Sequence, residues 1–223
     1  IGDPRAVDPL LKLLTDKKTN YKIRMQICAA FTVMGPRKAV PALLEVAEKG
    51  MIPGGYYNLR EGAVMAYSRI VGAEVKDGYE KVEEMKNDPK LKGYKATIGV
   101  FKEALDRMKV AQECGDDAKC YGKKMLNKEL SLAQREKAGI MVGVLENGRE
   151  ALPDLVKALP VREPVLRLYY LQSAKRLGTP KDTELIKTIA KLAEKDSKRK
   201  VKYLGADLAS ADKVALAVIS QKK

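Results

Sequence analysis

Histidine and tryptophan are both missing from this chain, phenylalanine occurs only twice, and there are three cysteines. Without histidine, the chain by itself cannot build a Ser-His-Asp triad, a Cys-His pair, an HExxH zinc site or a histidine-based iron site. No run of 18 uninterrupted apolar residues occurs, so no segment reads as a membrane-crossing helix. A Gly-x-Gly-x-x-Gly fingerprint, a Walker A loop and an EF-hand loop are also lacking. Gly50-Met51-Ile52-Pro53-Gly54-Gly55 is rich in glycine but has no Lys-Ser/Thr after it, and it reads as a flexible insertion and contact loop. These absences exclude much catalytic chemistry and suggest no cofactor or metal.

The sequence has 223 residues, 45% of them apolar, a size and composition that bury a sizeable core without metal or several disulfides. Lysine and arginine number 43 against 29 aspartates and glutamates, for a net charge of +14. Such a surface attracts polyanions at long range, whether nucleic acid, lipid headgroups or an acidic protein. The first residue is Ile1, and the expectation is a mature form or an excised domain.

Internal similarity is the strongest signal. Gly2-Asp3-Pro4-Arg5-Ala6-Val7-Asp8-Pro9-Leu10-Leu11 returns as Gly35-Pro36-Arg37-Lys38-Ala39-Val40-Pro41-Ala42-Leu43-Leu44. It returns again as Gly148-Arg149-Glu150-Ala151-Leu152-Pro153-Asp154-Leu155-Val156. Gly2 and Gly35 are 33 apart, Gly35 and Gly72 are 37, and Gly148 and Gly178 are 30. Periods of this size belong to helical solenoids, whose helix pairs bury their apolar faces only by stacking. In the first unit Val7, Leu10, Leu11 and Leu14 form a helical stripe. After a polar turn at Thr15 to Asn20, Ile23, Ile27, Ala30, Phe31 and Met34 form a second stripe that ends at Gly35, a good C-terminal cap. The second unit repeats this to Gly72, with Leu59, Ala63, Ala66, Tyr67 and Ile70 on its second helix.

The middle, 73–130, is less regular. Helices are expected over Tyr79 to Lys86 and Lys92 to Glu113, with a break at Asp88-Pro89 and a cap at Asp116 or Asp117. Further helices are expected over Arg135 to Leu145, Thr183 to Ala193 and Val201 to Ile219, and no strand. The expected architecture is all-α, a single domain over 1–223 built as a solenoid of about six antiparallel helix pairs.

The Gly-Asp-Pro-Arg-Ala-Val-Asp-Pro-Leu-Leu segment, its polar turn and the following Lys22-Ile23-Arg24-Met25-Gln26-Ile27-Cys28-Ala29-Ala30 resemble HEAT-like repeats of the bilin-lyase (PBS-lyase) type, which also occur in bacterial scaffold proteins. The resemblance is strongest over 1–72 and 148–178. It implies the solenoid fold and admits several functions, because HEAT-like proteins include scaffolds, lyases and DNA glycosylases. The iron-binding hydroxylase branch needs His-Glu pairs, which this chain lacks.

A basic residue recurs early in each second helix, at Arg24, Arg60, Arg135 and Arg167. One reading is structural, with each arginine holding the adjacent turn through carbonyls or acids of its repeat. The other places all four on a concave inner face as a ridge for a polyanion or an acidic partner. Tyr56, Tyr57 and Tyr170 are the aromatic contacts for such a partner, with one tyrosine of each adjacent pair facing the core. The densest basic cluster holds Lys198, Arg199, Lys200 and Lys202, but no recognition helix, zinc finger or RNA-binding signature accompanies it.

Cys114 and Cys120 straddle an expected helix junction, where the chain can turn and bring them within bonding distance. They read either as a disulfide or as two unlinked structural thiols, while Cys28 on an apolar helix face reads as a small hydrophobe. A bridge would favour an oxidising compartment, the periplasm or cell envelope. The function expected is that of a non-enzymatic scaffold that binds an acidic protein partner on its inner face. The alternatives are a nucleic-acid-binding HEAT-like protein using a basic concave face and, more weakly, a bilin-lyase-like subunit.

Overall fold

The computed structural model describes residues 3–49, 59–199, 202–203 and 206–222, and over these the chain is all-helical apart from one two-residue hairpin. It divides into two compact units, Ile1–Gly115 and Asp116–Lys223.

The first unit contains α1 (Val7–Thr15), α2 (Tyr21–Met34), α3 (Val40–Lys49), α4 (Leu59–Ile70), α5 (Lys76–Lys86) and α6 (Lys95–Cys114). The helices pair in chain order, α1 with α2, α3 with α4 and α5 with α6, and the second member of each pair packs on the next: α2 on α4, and α4 on α6. The repeated Gly-containing motif is the reason the pairs start alike. Each first helix begins with a 3₁₀ turn, Pro4–Ala6, Arg37–Ala39 and Ala73–Val75, that runs straight into the α-helix. At Pro4 the missing N–H costs nothing, and the Asp3 carboxylate accepts from the Arg5 N–H to close the turn. Gly35 ends α2 with φ 65°, the left-handed cap expected from sequence.

The core of this unit follows the expected stripes except at Ile23, which lies at the exposed start of α2. Val7, Leu14, Ile27, Cys28, Phe31, Leu43, Ala63, Tyr67, Phe101 and Met108 share one buried cluster. Helix α5 begins three residues earlier than the sequence suggests and α6 three residues later. A 3₁₀ turn at Pro89–Leu91 and Gly93 at φ 96° hold the chain out of helix until Lys95.

The second unit contains α7 (Ala118–Leu126), α8 (Leu132–Val144), α9 (Leu152–Ala158), α10 (Pro164–Leu177), α11 (Thr183–Arg199) and α12 (Leu208–Ser220). Helix α7 packs on α8, α8 on α10, α10 on α12, and α11 on α12. Asp117 caps α7 through the backbone N–H groups of Lys119 and Cys120. Ser131 and Gln134 form a reciprocal capping box on α8. The stretch after Val201 does not begin a helix. Lys202 pairs with Asp207 and Tyr203 with Ala206 in a short antiparallel hairpin, and α12 begins at Leu208 because Asp207 caps it, accepting from Ala209 N–H and Ser210 Oγ.

The close approach of α8 and α10 depends on two glycines. A Cβ on Gly139 would overlap the Tyr170 ring, and one on Gly143 would overlap Ser173. Ser173 uses that proximity to donate its hydroxyl to the Gly139 carbonyl at 2.6 Å.

Candidate functional site

The four recurring arginines occupy one kind of position, early in a second helix, and three of them bond a backbone carbonyl earlier in the chain. Arg24 Nε donates to the Leu14 carbonyl at 2.7 Å, and Arg135 Nε to the Met125 carbonyl at 3.4 Å, each spanning ten residues back to the end of the preceding helix. Arg167 Nη2 reaches the Val161 carbonyl, six residues back in the loop before α10, at 3.2 Å. Three of the four also pair with a carboxylate 28 or 29 residues onward: Arg60 with Asp88 at 3.4 Å, Arg135 with Glu163 at 3.4 Å and Arg167 with Asp196 at 2.9 Å. Arg60 lies in addition over the Phe101 ring, 5.7 Å from its centroid. Arg24, Arg135 and Arg167 thus tie the two ends of their own helix pair together, and Arg60, Arg135 and Arg167 reach into the next.

Burial decides what these groups can offer. Arg60 and Arg167 are each only 6% exposed. Their guanidinium groups face carboxylates and carbonyls of the chain, not solvent, so these two do not form part of an open ridge. Tyr170 is fully buried and donates its hydroxyl to the Arg135 carbonyl at 3.4 Å. It is a packing residue, and desolvation raises its phenol pKa to about 12. Tyr56, Tyr57 and Lys200 lie outside the described residues, as do the side chains of Arg199 and Lys202. Lys198 is exposed and bonds Glu194 at 2.7 Å, one turn back on α11.

A second row of arginines sits in the 3₁₀ turns that precede the first helices. Arg37 forms a two-pronged pair with Glu74 of the next such turn, Nε to Oε1 at 3.0 Å. Arg149 does the same with Asp182, at 2.9 and 3.2 Å, and also donates to the Leu177 carbonyl. That pairing, with the hydrogen bonds from Thr179, holds the Asp182 carboxyl below its usual pKa.

On three of these second helices the positions two, five and nine residues beyond the arginine are exposed or half-buried. On α2 these positions are Gln26, Ala29 and Val33, all exposed. On α4 they are Gly62, Met65 and Arg69, the only residues of that helix that are not buried. On α10 they are Tyr169, Gln172 and Arg176, all half-buried. On α8 the equivalent Lys137 and Ile140 are buried. Residues spaced three and seven apart share one face of a helix, so α2, α4 and α10 each present a strip of mixed apolar and polar character, and α8 does not. Of these strip residues, none was among those expected from sequence to meet a partner. The strip's signal was available in the fixed offset from the arginines, once the arginines themselves are assigned to the interior.

Beside Arg60 lies an open cleft of about 360 Å³ lined by Glu48, Arg60, Lys81, Glu84, Met85 and Asp88. Its charges are largely matched within the wall, with Lys81 2.7 Å from Glu48 and Asp88 paired to Arg60. Asp88 is held below its usual pKa, first by the Lys90 backbone N–H and then by Arg60. No group of three or more acidic or cysteine ligands converges on a metal-sized site among the described residues.

Cys114 and Cys120 are joined in a disulfide. Cys28 is a free, buried thiol whose pKa is pushed up to about 12 by burial. Among the described residues no helix is long and apolar enough to cross a membrane.

No family model and no curated protein matches the chain. Among solved structures, it is similar to a crystal structure of an engineered protein from the Northeast Structural Genomics Consortium, with 13% identity, 96% of each chain covered and a TM-score of 0.38.

Proposed function

We propose that this chain is a HEAT-like α-solenoid of about six helix pairs that acts as a non-enzymatic scaffold, binding a protein partner along the inner face made by its second helices. The observation that carries the reading is the repeated strip two, five and nine residues past the arginines. It recurs at the same offset on α2, α4 and α10, where it brings Val33, Met65 and Tyr169 to the strip beside polar or basic neighbours. The arginines serve this surface indirectly. By tying helix ends and successive pairs together they keep the strips in register, a rigid frame on which side chains can vary.

The partner is expected to have an acidic surface, because the chain has a net charge of +14. The Cys114–Cys120 disulfide supports placement in an oxidising compartment, the periplasm or cell envelope. Photo-cross-linking residues placed at Gln26, Met65 and Tyr169, and for comparison at the exposed first-helix positions Glu45 and Lys157, test the reading in cells. Adducts to one protein from the strip positions alone support it. Adducts only from Glu45 and Lys157 overturn the assignment of the binding face.

The net charge also favours one other reading, a solenoid that binds nucleic acid through phosphate contacts. Titration with duplex and single-stranded DNA at two salt concentrations separates the two, since phosphate contacts make affinity fall steeply with salt. Absence of binding at low salt removes this alternative.

A further inference from the structure

The first helix pair leaves apolar side chains in water at positions that other pairs bury. Leu13 is 43% exposed, whereas the aligned Val46 and Ala158 are 5% and 7% exposed. Ile23 is 51% exposed, and the aligned Leu59 and Leu166, each likewise one residue before the recurring arginine, are 8% and 0%. The repeat does not itself demand an apolar residue here, because the equivalent positions of α7 and α8 are Lys124 and Gln134. Tyr21, 54% exposed, adds a third large side chain at the same end of the pair.

The rim of this patch is basic. Lys12, Lys17, Lys18 and Lys22 are all exposed around the turn that joins α1 to α2. Among the described residues none of the four forms an ion pair, although Lys17 helps, after Lys49, to lower the pKa of Glu45. The one acid in the turn, Asp16, is occupied locally by the Lys18 backbone N–H at 2.9 Å and the Thr19 hydroxyl. An apolar centre with an unneutralised cationic rim defines the chemistry of what covers it.

We propose that this edge, formed by the end of α1 and the start of α2, binds an amphipathic helix of a partner protein whose apolar stripe is flanked by acidic residues. In α3–α4 and α9–α10 the equivalent side chains are packed in an all-helical environment, so this face resembles one that packs against helices. Charge complementarity then selects an acidic helix. A second copy of this chain is the poorer occupant, since it brings the same net charge of +14. This surface is distinct from the strip on the second helices, and the two readings stand or fall separately.

The test uses a fluorescein-labelled peptide of about 18 residues, five helical turns, with leucine along one face and glutamate on the other. Controls are a scrambled peptide of the same composition and a version with lysine in place of glutamate. Anisotropy titrations are run at about 50 and 300 mM salt, which brackets strong and weak screening. The acidic amphipathic peptide is expected to bind at least about tenfold more tightly than either control, and more weakly at high salt. Ile23→Glu and Leu13→Glu should each cost about tenfold or more, and Lys18→Glu with Lys22→Glu should both weaken binding and flatten its salt dependence. Val214→Glu, at an exposed position on α12, should change nothing. Circular dichroism confirms that these surface variants fold. Equal binding of the scrambled peptide, indifference to Ile23→Glu, or no binding at low salt overturns the proposal. So does concentration-dependent self-association of the protein that Ile23→Glu abolishes, because the occupant would then be a second copy.

Discussion

Arg167 and Asp196 form a buried ion pair, with Nη1 and Oδ2 2.9 Å apart and the two residues 6% and 3% exposed. Arg167 also bonds the Val161 carbonyl and lies 3.9 Å from the buried carboxylate of Asp212, so one guanidinium serves α10, α11 and α12 together. Removing it strands two carboxylates in a low-dielectric interior. Arg167→Met is expected to destabilise the protein by about 3–5 kcal/mol, the range for breaking one side of a buried pair. Arg24→Met, which gives up one bond to the Leu14 carbonyl, should cost only about 1 kcal/mol. Urea unfolding of both variants makes the comparison, and equal losses would show that the buried carboxylates are not what Arg167 compensates.

Asp212 gives a pH dependence of unusual sign for an acid. It is fully buried, neither carboxylate oxygen accepts a hydrogen bond from the described residues, and desolvation lifts its pKa from 3.8 to about 6. Arg167 opposes the rise, while Asp196 and Asp207 add to it. The folded state therefore holds this proton more tightly than the unfolded state. Stability from this group is fully present below the unfolded pKa of 3.8 and is lost as pH rises through about 6. Other carboxylates, such as Asp182 with its lowered pKa, act in the opposite direction, so the useful quantity is the difference between the parent and Asp212→Asn. The variant should gain relative stability between pH 4 and 7, reaching on the order of 1–3 kcal/mol. A difference that stays constant over that range would remove Asp212 as its source.

Thiol counting addresses the three cysteines. Cys28 is buried with its thiol pKa pushed up to about 12, so it should not react with Ellman's reagent in the native state. Denaturation without reductant should expose one thiol, assigned to Cys28 by peptide mapping, and reduction should expose three. The bridge closes a short loop, for which unfolded-state entropy allows about 2 kcal/mol of stabilisation. Hydrogen exchange after reduction is expected to speed up over 105–130 and to remain unchanged in the terminal helix pairs. Three reactive thiols in unreduced protein from its native compartment would contradict both the bridge and the oxidising location.

Gly139 tests the packing of α8 on α10. A methyl group there would overlap the ring of Tyr170, which is held by its own hydrogen bond and has no solvent to move into. Helix propensity alone would make Gly139→Ala stabilising by about 1 kcal/mol. Overpacking is expected to reverse that sign and leave a net loss of about 1–2 kcal/mol. A higher Tm for the variant would mean that α10 can shift away from α8 without cost.

The helices themselves were legible because their information is local. Apolar stripes at helical spacing, the capping position of Asp117, the terminal glycine at Gly35 and the recurrence of Arg24, Arg60, Arg135 and Arg167 all act within a few residues of chain. Even so, the sequence left α6 three residues too long at its start and mistook the hairpin before α12 for helix, because Gly93 and Asp207 override a favourable pattern.

Which face of a helix meets water is not a local property, and there the tertiary structure decided. The recurrence of the arginines was plain, but their burial depends on Asp88, Glu163 and Asp196, carboxylates 28 or 29 residues away that mean nothing until the helix pairs stack. Tyr169 and Tyr170 are adjacent in sequence and equal in chemistry, and only the closeness that Gly139 permits puts Tyr170 against α8 while leaving Tyr169 half-exposed. Sequence periodicity determined that this chain would build helix pairs. The desolvation of charges at their contacts, a property of distances between distant segments, determined which residues hold the frame and which stay at the surface.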